Sequence, residues 1–175
     1  MGRTGARRSP AIAQWVADLG NAAGEGTFGV IDLRDLDLSL DDEPGIPAIH
    51  DYVSPATRRW SELISAAKGV VIVTPQYNWG YPAVLKNAID HLYREWKAKP
   101  VLIVSYGARG GDKCAAQLRD VLSAIGLKLT GAMPGLHLPQ ERIVANDGEV
   151  DPDQDFASHR DELVDALREL AVLSS

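Results

Sequence analysis

The chain has 175 residues, 45 % of them hydrophobic and 24 % charged, and carries a net charge of −6 at pH 7. That length suits one compact domain over residues 1–175 that needs no disulfide or metal, and the composition is that of a globular protein, neither disordered nor fibrous. The acidic balance argues against nucleic-acid partners, which require an excess of Lys and Arg, and no apolar run approaches the ~20 residues of a membrane span.

The start, Met1 to Arg8, is basic but is not followed by the apolar stretch of a signal peptide, so a cytoplasmic location is expected. Pro10 to Ala23 reads as a helix with Ser9 as N-cap and Ile12, Trp15, Val16 and Leu19 on one face. Thr27 to Leu33 is a short strand candidate, and Asp35 to Val53 a polar loop. Ser54-Pro55 opens a second helix with Trp60, Leu63, Ile64 and Ala67 on its stripe. Val70 to Thr74 and Val101 to Ser105 are apolar without alternation, as strands buried on both faces of a parallel sheet should be. Pro82 to Trp96 between them reads as one helix, Asp112 to Ile125 as another, Leu127 to Ala132 as the last strand, and an amphipathic helix with Leu163, Leu167 and Leu170 closes the chain after a loop running to Asp153.

Such an order predicts a doubly wound parallel sheet, whose ligands bind beyond the carboxyl ends of the strands. Two loops stand there. Thr74-Pro-Gln-Tyr-Asn-Trp-Gly-Tyr-Pro82 has the residues of an irregular wall with free N–H groups; its bland alternative is a polar turn with stacked aromatics. Ser105-Tyr-Gly-Ala-Arg-Gly-Gly111 has glycines that allow close backbone approach, and Arg109 with the next helix dipole favours an anion. Its G-x-x-G-G spacing is not the dinucleotide fingerprint. A third group, Arg3, Thr4, Arg7, Arg8 and Ser9, clusters donors at the first helix start, where a phosphate could sit, unless it is only a basic tail.

TPQYNWGYPAVLKNAIDHL followed by VLIVSYGARGG resembles the NADPH-dependent FMN reductase family, over about Ser9 to Ile125. The resemblance implies a flavodoxin-like α/β fold, non-covalent FMN, and hydride transfer from NADPH through the flavin to quinones, free flavin or similar small acceptors. It implies that Pro75, Gln76, Tyr77, Asn78, Trp79 and Gly80 lie along the isoalloxazine, with Ser105, Tyr106, Gly107, Gly110 and Gly111 at its other edge, and Arg3, Thr4, Arg7 and Ser9 at the phosphate. Many relatives carry Glu where Gln76 stands. Relatives open with a strand ending in Gly-Ser-x-Arg; that strand is missing ahead of the first helix here, so either the true start lies upstream or this version is damaged.

No side chain is needed as nucleophile or base if the flavin carries the chemistry. His50, His91, His137 and His159 are scattered without pairing and read as structural or surface groups, and Asp41, Asp42 and Glu43 as a solvated acidic turn rather than a metal site. Cys114, the single cysteine, reads as a buried helix residue. Trp79, Tyr81, His91, Tyr93 and Trp96 are too many large groups for one core face, which suggests a homodimer or tetramer through this region. The competing reading is a flavodoxin-fold protein without flavin, serving as an interaction module or a non-functional start variant; a one-electron flavodoxin carrier is a third.

Overall fold

The computed structural model describes residues 7–40 and 43–175. Seven α-helices lie in it: α1 Ser9–Ala22, α2 Pro55–Ala66, α3 Ala83–Asp90, α4 Asp112–Ala124, α5 Gln140–Ala145, α6 Pro152–Asp155 and α7 Arg160–Leu173. The strands are β1 Val70–Pro75, β2 Pro100–Gly107, β3 Lys128–Leu129 and β4 Gly135–His137, and every pairing between them is parallel. β2 is the axis, with β1 along one edge and β3 and β4 sharing the other.

The unbroken apolar run in β2 has the expected cause. Val101 and Ile103 enter a core with Trp60, Ile64, Leu118 and Leu122 from α2 and α4. Leu102, Val104 and Tyr106 enter a second core with Ile12, Val16, Leu163 and Leu167 from α1 and α7. Side chains alternate across a strand, so only a strand covered on both faces is apolar throughout.

Several sequence expectations need correction. Thr27 to Asp32 has no regular secondary structure and joins no ladder among the described residues, and Leu33–Leu36 is a 3-10 turn. The Thr27–Asp32 segment is held instead by the Asn21 side chain, which bonds Phe28 N at 2.8 Å and Phe28 O at 3.2 Å, and by the Asp32 carboxylate, which accepts from the Arg7 guanidinium at 2.7 Å. The helix expected from Pro82 to Trp96 stops at Asp90, and Arg94–Trp96 is a separate 3-10 turn. The indole N–H groups of Trp60 and Trp96 donate to Ala88 O at 2.8 Å and Ile89 O at 3.0 Å, occupying carbonyls the next helical turn would need. The last strand is interrupted: β3 ends at Leu129, an excursion through Pro134 follows, and pairing with β2 resumes at Gly135. The stretch expected as loop to Asp153 therefore holds β4, α5 and the start of α6.

The expectation of a missing first strand concerns chain ahead of Arg7, outside the described residues. Among those described, β1 is paired along one edge only. A cavity of about 830 Å3 runs along its other edge, between Val70–Thr74 and Gly26–Leu33, and reaches Arg7 and Ser9 at one end.

Ser54 precedes α2 as expected but makes no side-chain cap; Glu43 accepts from Val53 N at 2.8 Å and Ser54 N at 2.9 Å instead. Burial, the largest influence on Glu43, pushes its pKa upward, but hydrogen bonding led by the Val53 N–H outweighs it and holds the carboxyl below its ordinary 4.5. A pKa lowered on folding gives stability that is complete above the unfolded value and lost as pH falls through the folded one. The melting temperature should therefore hold down to about pH 5 and fall below it, and Glu43→Gln should flatten part of that slope in thermal melts across pH. An unchanged slope in the variant would show that Glu43 does not anchor α2.

Candidate functional site

The two loops named from the sequence meet beyond the carboxyl ends of β1 and β2. Gln76 N donates to Tyr106 O at 3.0 Å, extending the parallel ladder by one step. The chain then turns back on itself: Tyr77 N donates to Gly80 O at 2.8 Å and Gly80 N to Tyr77 O at 3.0 Å. With φ of 47° at Asn78 and 76° at Trp79, this is a two-residue hairpin of the primed kind with Asn78 and Trp79 at its tip. Asn tolerates the left-handed conformation through its short polar side chain, whereas Trp does not. The strained Trp79 is 60 % exposed, with the Lys113 ammonium 5.8 Å from its ring centre, and Tyr77 is 40 % exposed. Strain that exposes a large aromatic beside a polar loop is typical of sites where the backbone serves binding rather than stability.

The hairpin gives a prediction of opposite signs. Trp79→Gly removes about 1–2 kcal/mol of left-handed strain against about 0.5–1 kcal/mol of added backbone entropy. Its melting temperature should stay level or rise by about 1–3 °C, while affinity for a planar ligand drops by roughly tenfold with loss of the ring. A melting temperature several degrees lower would mean that the indole holds the fold instead.

In the second loop, Ser105 turns inward and donates from its hydroxyl to Gly110 O at 2.7 Å, closing the turn on itself. Gly110 and Gly111 take φ of 70° and 80°. A Cβ on Gly110 would lie 2.8 Å from Gly135 O and one on Gly111 2.9 Å from the Ser105 Cβ, so both glycines are demanded by packing within the protein. Gly107 is different: the nearest atom to a Cβ there, in Gln76, would be 3.7 Å away. The anion expected at the start of α4 is disfavoured, because Gln76 Oε1 already accepts from Lys113 N and Cys114 N, each at 3.1 Å.

The third group arrives from α1. The Ser9 hydroxyl lies 2.6 Å from the Tyr106 hydroxyl, and burial, the main cause, pushes Tyr106 up to about 12, so it stays protonated at neutral pH. Burial also raises Tyr77, partly opposed by the positive charges of Arg8 and Arg7. Arg7 pairs with Asp32, and that hydrogen bond is the main reason the Asp32 carboxyl is held below its ordinary value. Arg8, buried to 8 % exposure, donates to Glu149 O at 3.2 Å and to Arg142 O. Arg3 and Thr4 lie outside the described residues, as do Asp41 and Asp42 of the acidic turn.

Residue by residue, the structure brings Ser9, Gln76, Tyr77, Tyr106 and Gly107 together, and places Asn78, Trp79 and Gly80 on the adjoining hairpin after Pro75, the last residue of β1. Cys114 is buried, donates from its thiol to Gly111 O at 3.1 Å and is raised by burial to about 11, as an inert structural thiol should be. Histidine pairing was missed: the rings of His137 and His159 are 5.6 Å apart, with His137 against the glycine turn. His91 and Trp96, expected at an interface, are buried in the core, with His91 bracketed by the Thr57 hydroxyl and Ser39 O, each at 2.8 Å. No group of three or more His, Cys, Asp or Glu among the described residues could hold a metal ion.

These residues fit a flavin mononucleotide. Exposed aromatic side chains on a tight polar hairpin suit a planar ring with polar edges, a part-buried hydroxyl pair lies beside them, and an arginine at a helix start suits a phosphate, although Asp32 competes for it.

Comparison with known proteins agrees. The family model for NADPH-dependent FMN reductase matches residues 2–134. An NAD(P)H-dependent FMN reductase of Schizosaccharomyces pombe is 46 % identical over 169 residues, covering 95 % of this chain and 84 % of that protein. A quinone reductase of Escherichia coli is 40 % identical over 99 residues, 53 % of this chain and 49 % of that protein. Among solved structures, the flavoenzyme NAD(P)H:(acceptor) oxidoreductase FerB of Paracoccus denitrificans superimposes with a TM-score of 0.62 at 23 % identity over 94 % of each chain, a likeness of fold.

Proposed function

From the premise that the chain belongs to the NADPH-dependent FMN reductase family, we propose that it is a flavodoxin-like, FMN-dependent oxidoreductase passing hydride from NAD(P)H to quinones, free flavin or similar small acceptors. The observation that carries this reading is the junction of the Gln76–Gly80 hairpin with the Tyr106–Gly107 turn at the carboxyl ends of β1 and β2. The chemistry supplied by bound FMN is two-electron transfer: NADPH and a proton are consumed with a quinone, giving NADP+ and a hydroquinone.

The protein's part is to bind, orient and exclude water. Tyr77 and Trp79 would form the aromatic wall, and main-chain N–H groups of the Asn78–Trp79 turn would donate to the ring edge, where they would favour negative charge. Tyr106, fixed by Ser9, offers a neutral hydroxyl and does not serve as an acid or base near pH 7. Arg7 and Ser9 would hold the phosphate, and Gly107 would allow close approach of the main chain; Arg3 and Thr4, which the family resemblance adds to this group, lie outside the described residues. In an anaerobic stopped-flow experiment, NADPH should bleach the flavin absorbance of the FMN-loaded protein and a quinone should restore it. Protein that takes up FMN yet is not bleached would refute the reductase reading.

The proposal includes one domain over residues 1–175 and a cytoplasmic location. No described helix is long and apolar enough to cross a membrane. It also includes a homodimer or tetramer, now supported by Trp79, Tyr77, Val84 and Tyr93, all at least 40 % exposed. Light scattering at micromolar concentration should give at least twice the chain mass; a monomer would remove the interface.

A further inference from the structure

A helix begins with N–H groups that have no partner within it, and the residue in front of the first turn normally satisfies one of them with a side-chain oxygen. At α4 that residue is Gly111, which has no side chain to offer. Asp112, first in the helix, does not replace it; its carboxylate pairs with the Lys113 ammonium at 3.1 Å. The donors are met from another part of the chain. Gln76 Oε1 accepts from Lys113 N and Cys114 N, each at 3.1 Å, across 37 and 38 residues of sequence. Two N–H groups converging on one end of the amide settle which end is oxygen.

The same residue is fixed at its main chain, where Gln76 N donates to Tyr106 O at 3.0 Å. Gln76 thus touches three parts of the site: it begins the hairpin, bonds the end of β2, and caps the helix that follows the glycine turn. We infer that Gln76 is a positioning residue, a clasp that makes the aromatic hairpin and the glycine turn one mechanical unit. Without it, the hairpin is tied to the second loop by main-chain bonds at its base alone, and α4 starts with two unsatisfied amides. The coupling is a property of the chain itself; its consequence for FMN rests on the reading above.

Chemistry separates this role from a direct contact. Gln76→Glu keeps an acceptor oxygen at the same reach and adds a negative charge at the positive end of a helix, so the clasp should survive or tighten. Gln76→Ala removes it. The test is amide hydrogen exchange, read by NMR on the full chain, with FMN titrations of the same proteins as a second readout. In Gln76→Ala, exchange should accelerate by roughly tenfold or more at Lys113 and Cys114 and also at Tyr77 and Gly80, whose bonds the substitution does not touch. Gln76→Glu should restore both sets, and FMN affinity should fall in the alanine variant and recover in the glutamate one. Acceleration confined to Lys113 and Cys114 would reduce Gln76 to a helix cap and overturn the coupling, as would unchanged exchange throughout. Should the wild-type chain take up no FMN, the flavin reading fails on its own and the exchange data still decide the clasp.

Discussion

Gly110→Ala should lower the melting temperature by roughly 10 °C and abolish flavin uptake, the first from about 2–6 kcal/mol of combined backbone strain and overpacking. Gly110 has φ of 70°, and its missing Cβ would fall 2.8 Å from Gly135 O and 2.8 Å from the His137 ring. The carbonyl cannot retreat, because Gly135 begins β4 and is paired in register with Ser105 of β2. Gly126 provides the control: its φ is 87°, yet nothing lies within 4 Å of a Cβ there. Gly126→Ala should therefore cost only about 1 kcal/mol, and the difference between the two variants isolates the contact. Equal losses in urea or thermal unfolding would show that the two turns differ in nothing but position.

Arg8→Met should be nearly as damaging, at about 3 kcal/mol or roughly 6–12 °C in melting temperature. Arg8 is 8 % exposed and its guanidinium bonds the carbonyls of Glu149 and Arg142, with Asp147 at 3.7 Å, so it ties the start of α1 to the segment after β4. Methionine fills similar volume but leaves Glu149 O without its donor and Arg142 O with the Asn146 N–H alone, at 3.3 Å. Arg8→Lys keeps the charge but not the planar fork, and should recover only part of the loss. A methionine variant as stable as the parent would mean that water replaces the guanidinium at little cost. Because Ser9 follows directly and holds the Tyr106 hydroxyl, the methionine variant should also weaken FMN binding.

What was legible in the sequence is what local pattern encodes. The continuous apolar runs of β1 and β2 announce strands covered on both faces, and the motifs that follow them fall at the carboxyl edge where such sheets bind ligands. What was not legible depends on partners remote in sequence. Pro82 to Trp96 carries a helical stripe throughout, but two indoles, one of them from α2, claim the carbonyls that would extend it past Asp90. The glycine loop resembled an anion cradle because Gln76, 37 residues earlier than Lys113, could not be seen to fill the helix start. Gly110 and Gly111 suggested room for a ligand, whereas their neighbours are Gly135 and Ser105. Arg8 looked like part of a basic tail, and only the fold shows it buried against main-chain carbonyls. Thr27 to Asp32 has the composition of a strand, but a strand also needs a paired neighbour, and none lies among the described residues.

The 830 Å3 cavity does not coincide with the loops: it follows the unpaired edge of β1 and meets the site near Arg7, Ser9 and Pro75. Chemistry favours the loops, since the exposed aromatics and the Ser9–Tyr106 hydroxyl pair are there, and the cavity wall is largely apolar. A crystal structure of the protein grown with FMN distinguishes the two directly. The isoalloxazine should lie against Tyr77 to Gly80 and the Tyr106–Gly107 turn, with its phosphate toward Arg7 and Ser9; flavin density along Val70 to Thr74 instead, or none at saturating FMN, would contradict the assignment.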